Sequence, residues 1–392
     1  MYNKKMRILF DARKISPQAT GVGYVVKKLL EELLKFNELE IIAFTKKGVN
    51  KIFNDSPPPS NLIIHETKDD SEYFGLKRIL FEQIEIPKLI EKYNPDILHL
   101  TNGFGVPLFI NRKNLKIVLT VHDLIPLTPY KELMSPLNNL IFKILFSYGM
   151  KKADVAITVS KFTADDVKKY YPLAKNIKVA YNGIDPPQKI NDPGEVWSNL
   201  QKKYEINKEF ILYIGGFAPR KNVLRLLEAF NRLKKEKKYD YQLLLCGKFT
   251  KNKDISDQLE KIIQYIKLNS LQKKVRLIGY LNLDEKYALL KQAKFFAYLS
   301  LYEGFGLPVL EALSVRTPTL TSKYSAMEEV ANKYALYANS NSINDILDKM
   351  IVMLSKYEHF KYLTNNASKE LIPFYSWRST GIKYYEIYKK IL

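Results

Sequence analysis

Glu303 and Glu311, with seven residues between them in Glu303-Gly304-Phe305-Gly306-Leu307-Pro308-Val309-Leu310-Glu311, frame a segment suited to receiving an anion. The segment follows the apolar run Phe295–Leu299, so it is expected to leave a strand at its carboxyl end. Gly304 and Gly306 permit backbone conformations and close approaches that a Cβ forbids. Pro308 suits the first position of a helix expected over Pro308–Leu313, whose free N–H groups and dipole favour negative charge. Carboxylates on either side of such a site can accept hydrogen bonds from hydroxyls flanking a diphosphate, a sugar at one end and a ribose at the other. The bland alternative is that Glu303 caps the helix and Glu311, in its first turn, complements the dipole. It accounts for one acid and leaves the glycines unexplained.

Three further segments carry polar chemistry at expected strand ends. Arg220 and Lys221, in Ile214-Gly215-Gly216-Phe217-Ala218-Pro219-Arg220-Lys221-Asn222, pair a guanidinium fork with a compact ammonium. Such a pair suits a pyrophosphate leaving group, although a basic pair before a helix is by itself a common surface feature. Thr20-Gly21-Val22-Gly23-Tyr24 allows backbone to approach a phosphate, without the full dinucleotide fingerprint, because position 26 is Val26. His122 in Val121-His122-Asp123-Leu124 ends an apolar run; a lone histidine is more often structural than catalytic.

The elements that would position these residues alternate in two series. Strands are expected at Arg7–Phe10, Glu40–Phe44, Leu62–His65, Ile97–Leu100, Ile117–Val121, Val155–Val159 and Ile177–Ala180. The series restarts at Phe210–Ile214, Gln242–Cys246, Val275–Ile278, Phe295–Leu299 and Thr319–Thr321. Helical patterns lie between them, at Tyr24–Phe36, Leu76–Lys92, Leu137–Lys151, Val223–Lys235, Ser256–Ile266 and Leu283–Gln292. Alternation of this kind predicts an α/β fold with parallel sheets, and 392 residues suit two domains. The proline-rich stretch around Asp185-Pro186-Pro187 and Asn191-Asp192-Pro193-Gly194 marks the break. The expected division is 1–186, a linker 187–207, a second domain 208–372 and a closing segment 373–392.

Composition narrows the classes. Apolar residues at 46% and charged residues at 26% exclude a disordered chain. Lone Cys246, inside an apolar run, makes no internal disulfide and reads as a buried strand residue. No Asp-x-Asp occurs, and four histidines with one cysteine offer no transition-metal cluster, so no metal cofactor is expected. The net charge of +21 invites an anionic partner, but it is spread as +8 over residues 1–186 and +13 over 187–392. With no recognised binding module, nucleic acid is not expected. No apolar run reaches the length of a membrane span, and the apolar stretch after the basic start Met1–Met6 ends at Asp11, too short for a signal-peptide core, so a cytoplasmic protein is expected. Large apolar residues mixed with lysines over Leu137–Lys152 read first as a helix covering a sheet, with a surface for anionic bilayer as the functional alternative.

Together these segments resemble family 4 of the retaining glycosyltransferases, with the two-domain GT-B fold of Rossmann-like halves facing across a cleft. The acid pair embedded in Glu-Gly-Phe-Gly-Leu-Pro resembles that family's signature. Supporting matches run in family order: 20–24, His122-Asp123, Val159-Ser160, Tyr181-Asn182-Gly183-Ile184-Asp185, Pro219-Arg220-Lys221-Asn222, Gly279-Tyr280, and Trp377 in a last helix returning to the first domain. The resemblance implies that Glu303 holds donor-sugar hydroxyls, Glu311 the ribose, and Arg220 and Lys221 the diphosphate. It further implies that Gly21 and Gly23 close on the phosphates and that Phe305, Gly306 and Leu307 contact sugar and phosphate through their backbone. Gly279 and Tyr280 would lie beside the base, and His122 near the transferred sugar and the acceptor. The chain departs from the pattern at Val315-Arg316-Thr317-Pro318, where the family usually has Gly-x-Pro. It departs again at Glu328-Glu329, and at Asn332-Lys333 in place of Gly-Asp. His-Asp-Leu-Ile-Pro-Leu and Pro-Arg-Lys-Asn resemble mannosyl- and rhamnosyl-type enzymes of surface polysaccharide assembly. GDP-mannose is therefore the expected donor, with a saccharide or lipid-linked acceptor reached at the inner face of the cell membrane. A nucleotide-sugar epimerase of the same fold and a non-catalytic sugar-nucleotide-binding subunit are the alternatives.

Overall fold

In the computed structural model the described residues are 5–16, 21–47, 59–67, 76–110, 114–130, 136–185, 192–237, 239–249 and 253–392. Thr20 and the stretch 186–191, both singled out above, lie outside them. The chain divides into two units. One comprises Met1–Leu127, Met134–Gly183 and Tyr375–Leu392; the other comprises Thr128–Leu133 and Ile184–Phe374.

The first unit is built on seven strands: β1 (Met6–Asp11), β2 (Leu39–Lys46), β3 (Leu62–Thr67), β4 (Ile97–Leu100), β5 (Lys116–Val121), β6 (Val155–Thr158) and β7 (Ile177–Val179). Their order is β3-β2-β1-β4-β5-β6-β7, all parallel, with Ile8 opposite Ile41 on one side and Ile97 on the other. Side chains alternate across the sheet. Ile8 and Phe10 therefore enter one core with Leu29, Leu30 and Tyr388, while Leu9 enters another with Leu98, Leu119 and Phe146. Burial on both faces explains why these strands read as continuous apolar runs. The helix Trp377–Ile391 belongs to this unit: Tyr384, Ile387 and Tyr388 pack in its core. Tyr388 hydroxyl meets His99 Nδ1 at 2.7 Å, and Thr120 Oγ1 meets His99 Nε2 at 2.8 Å. Burial pushes the His99 imidazole down to about 3.

The second unit has six parallel strands, β8 (Phe210–Ile214), β9 (Gln242–Cys246), β10 (Val275–Ile278), β11 (Phe295–Tyr298), β12 (Thr319–Ser322) and β13 (Leu336–Ala338), ordered β10-β9-β8-β11-β12-β13. Cys246 is buried in β9, as its run predicts. In both sheets the order reverses at one place, between β1 and β4 and between β8 and β11. Such switch points are where parallel sheets open a crevice at their carboxyl ends.

Several elements differ from the sequence expectation. Asp192-Pro193-Gly194, read as linker, starts a helix over Pro193–Tyr204. Asp192 accepts from Glu195 N at 2.9 Å, and Pro193 occupies the first turn. Trp197 and Leu200 of that helix join the second unit's core, so residues 192–204 are part of that unit and not linker. The helix of 76–93 contains a π turn at Phe81–Glu85. Strand β13 and the helices Ile343–Ser355 and Tyr357–Glu370 were not expected. Arg316 takes φ 65° and Asn332 φ 48°, the left-handed region where the family usually has glycine. At these two of the three departures the chain thus keeps a positive-φ backbone while replacing the residue that makes it easiest.

Candidate active site

The switch point of the second unit gathers the acid and the basic pair. Because β8 and β11 are neighbours, the loops leaving them lie side by side and are joined by backbone: Leu301 N donates to Arg220 O at 2.7 Å. Asn222, at φ 61°, donates through Nδ2 to Leu299 O at 3.1 Å and Ser340 O at 2.7 Å. Pro219–Lys221 form a single 3₁₀ turn ahead of the helix Val223–Lys237, so Arg220 and Lys221 precede that helix.

Four donors converge on one oxygen. Glu303 Oε1 accepts from Lys221 Nζ at 2.5 Å, Ser300 Oγ at 2.6 Å, Arg220 Nη1 at 2.9 Å and Tyr298 hydroxyl at 3.2 Å. Lys221 also donates to the Tyr298 hydroxyl at 2.6 Å. Burial alone would raise the Glu303 carboxyl, but Lys221 and Arg220 outweigh it and hold the group at about 2. Glu303 therefore stays ionised at neutral pH. Tyr298 and Ser300 were not singled out in the sequence. They lie at the end of an apolar strand, where their alternation reads as packing.

Beside this cluster the helix Leu307–Ser314 begins, with Gly306 as its N-cap at φ 103°. A Cβ on Gly306 would sit 2.6 Å from Met327 Cγ, so only glycine fits there. The first turn of this helix holds no acid. Glu311 is the fifth residue, in the second turn, which corrects the first-turn placement. Its Oε1 accepts from Lys286 Nζ at 2.7 Å. Phe305 is buried and Leu307 partly so.

Gly279 follows β10, and Tyr280 beside it is exposed. Phe249, overlooked in the sequence, is half-exposed, stacks on Phe217 with centroids 5.8 Å apart, and lies 3.8 Å from where a Cβ on Gly279 would be. An exposed aromatic edge therefore borders Gly279.

The remaining residues belong to the first unit. Gly21 is the N-cap of the helix Val22–Leu33, with φ 55° and open space where a Cβ would stand. Gly23 is a buried residue within that helix's first turn, not in the loop. His122 follows β5; its Nε2 is buried with no hydrogen-bond partner. Burial pushes its imidazole down to about 4, against the opposing pull of the Thr101 backbone. The ring is neutral at pH 7.

Residues 19–188 match the family model described as Glycosyltransferase Family 4, and residues 198–370 the model described as Glycosyl transferases group 1. The chain is a glycosyltransferase with a family 4 domain followed by a group 1 domain. O-antigen chain mannosyltransferase B of Escherichia coli is 27% identical to this glycosyltransferase over 359 residues, spanning 87% of this chain and 88% of that one. Sucrose-phosphate synthase from Thermosynechococcus elongatus superposes with a TM-score of 0.79 at 17% identity, over 99% of both chains. Anabaena HepE in complex with UDP-glucose gives 0.76 at 14%, over 98% of this chain and 100% of that one. At these identities the solved structures establish the fold, which is GT-B, as the sequence resemblance implies.

Proposed function

We propose that this glycosyltransferase moves mannose from GDP-mannose to a saccharide or lipid-linked acceptor, with retention at the anomeric carbon, in surface polysaccharide assembly. The observation that carries the chemistry is the convergence of Arg220 and Lys221 on Glu303 beside the open end of the helix Leu307–Ser314. The choice of mannose is supported by the name of the Escherichia coli relative.

In this reading the bond from C1 of the sugar to the diphosphate breaks, building negative charge on the departing oxygen and positive charge at C1. Arg220, Lys221 and the helix N-terminus are already in place against the former. The acceptor oxygen bonds to C1 on the same face, and its proton passes to the departing phosphate oxygen. Glu303, ionised at neutral pH, accepts from donor-sugar hydroxyls, and Glu311 from the ribose. Gly21 and Gly23 serve the phosphates, as do the backbone groups of Phe305, Gly306 and Leu307. Gly279, Tyr280 and Phe249 flank the base. Neutral His122 accepts from or donates to a hydroxyl near the transfer point, without acting as an imidazolium.

The cationic set supplies the charge that a divalent ion supplies elsewhere, so no metal cofactor is proposed. Among the described residues no helix is long and apolar enough to cross a membrane. The helix Pro136–Lys152 does expose Leu137, Leu140 and Ile144, three positions sharing a face, next to Lys143. We place the acceptor-bearing bilayer against it.

One experiment tests the reading: nucleoside diphosphate release from a panel of nucleotide sugars, with and without lipid-linked acceptor, before and after dialysis against EDTA. Acceptor-dependent GDP release from GDP-mannose, unchanged by EDTA, is the expected result. Release of free nucleotide with no acceptor requirement, preference for a UDP-sugar, or activity restored only by Mg²⁺ or Mn²⁺ would each overturn the corresponding part.

A further inference from the structure

Glu311 has a partner with no place in the roles above. Lys286, in the helix Leu283–Gln292, donates to Glu311 Oε1 at 2.7 Å, and both side chains are only 16% exposed. Among the described residues nothing else donates to that carboxylate, so Oε2 remains for a ligand.

The helix that presents Lys286 is held rigidly. Asn282 and Glu285 form a reciprocal capping box, with Glu285 N to Asn282 Oδ1 at 2.9 Å and Asn282 N to Glu285 Oε2 at 3.0 Å. Its first turn follows directly from Gly279-Tyr280, and the Tyr287 hydroxyl reaches Asp185 O at 3.3 Å. Lys286 Nζ also sits 5.0 Å from the Tyr287 ring centroid. A long flexible side chain normally spends most of its free energy of pairing on lost rotamer freedom. Here the stem is packed and the partner shielded, so the pair is already fixed before a ligand arrives.

We infer that Lys286 is a positioning residue for nucleotide recognition. It locks the Glu311 carboxylate in the one orientation that leaves Oε2, and the outer lone pair of Oε1, open to the vicinal hydroxyls of the ribose. This inference rests on the ribose role proposed for Glu311. A carboxylate free to rotate must be ordered on binding, and that cost falls on donor affinity and not on the chemical step. Lys286 should therefore govern KM for the donor and the Kd of the nucleoside diphosphate, leaving kcat nearly alone.

The test is a double-mutant cycle read by GDP titration calorimetry and by donor kinetics. Lys286→Met keeps the stem and removes the charge. It is expected to weaken GDP binding and raise donor KM by about 3- to 10-fold, with kcat within 2-fold, and Lys286→Arg should recover most of the loss. In a Glu311→Gln background the same Lys286→Met change should have no further effect. An unchanged Kd in Lys286→Met, or an equal loss in the Glu311→Gln background, would overturn the inference. If Glu311→Gln itself leaves GDP binding unchanged, the ribose role fails instead, and the two failures are told apart by that single variant.

Discussion

Both units place a cluster of cations and carboxylates where their strand order reverses, yet the two clusters are opposites. In the first unit Asp11, at the end of β1, accepts from Arg13 Nε at 2.9 Å and Arg13 Nη2 at 2.8 Å. Glu82 accepts from Arg78 Nε at 2.9 Å and Arg13 Nη2 at 3.1 Å. Asp11, Arg13, Arg78 and Glu82 are all buried, and Phe81, Phe44 and Phe104 cover the guanidiniums. Gly105 is pinned over Glu82, since a Cβ there would stand 2.8 Å from the carboxyl carbon. In the second unit one carboxylate meets two cations whose side chains remain 13–17% exposed. The first cluster, buried and covered by aromatics, is a structural closure. The second cluster, partly exposed and beside the start of the helix Leu307–Ser314, is within reach of a ligand. Position at a switch point is shared; burial and access distinguish the two clusters.

Breaking the first cluster should cost stability. Glu82→Gln strands two buried guanidiniums against Asp11 and should destabilise the protein by about 3–5 kcal/mol, measured by urea unfolding. Lys221→Ala leaves Glu303 held by Arg220, Tyr298 and Ser300 and should move the unfolding free energy by less than half as much. Equal losses would erase the distinction between the clusters.

Acid sharpens it further. His122 at about 4 and His99 at about 3 lie below the ordinary histidine value of 6.5, so the unfolded chain binds protons that the folded one refuses. The stability they contribute is present above pH 6.5 and is lost as pH falls through about 4 and about 3. Glu303, at about 2 against an ordinary 4.5, adds a second loss that begins only below pH 4.5. Urea midpoints should fall between pH 6.5 and 4.5, and His122→Asn should flatten that fall. Over the same range donor turnover should show no acid limb from either Glu303 or His122.

The smallest effect concerns the departures from the family pattern. Arg316 at φ 65° pays for a conformation glycine adopts freely, and Arg316→Gly should stabilise the second unit by about 0.5–1 kcal/mol. Its carbonyl bonds to Thr364 Oγ1, at 3.0 Å, are backbone-made and should survive. A loss of stability would show that the guanidinium has a role of its own.

Much of the site was legible in the sequence because its parts sit in loops at strand ends, where glycine, proline and charge have few structural uses. Glu303, Arg220 and Lys221 could be named, and Gly306 given its reason. Their convergence on one oxygen could not, because it depends on β8 lying beside β11, a pairing across more than eighty residues. Lys286 looks like any solvated helix lysine until the helix Leu307–Ser314 is packed next to it. The helix Pro193–Tyr204 was missed because Asp-Pro-Gly serves equally to break a chain and to start a helix. The cluster of Asp11 and Glu82 left no trace, since it joins two segments far apart in the chain, each with the charges of an ordinary surface.

The most direct measurement is nucleoside diphosphate release from the donor by Lys221→Ala and Glu303→Ala beside the wild type, with folding checked by circular dichroism. Loss of preorganised positive charge at the leaving group in Lys221→Ala, and of the anchor for the donor-sugar hydroxyls in Glu303→Ala, predicts a fall in turnover of about 10²–10³-fold in each, with the folded spectrum retained. Turnover within a few-fold of wild type in either folded variant would contradict the assignment of this cluster as the site of transfer.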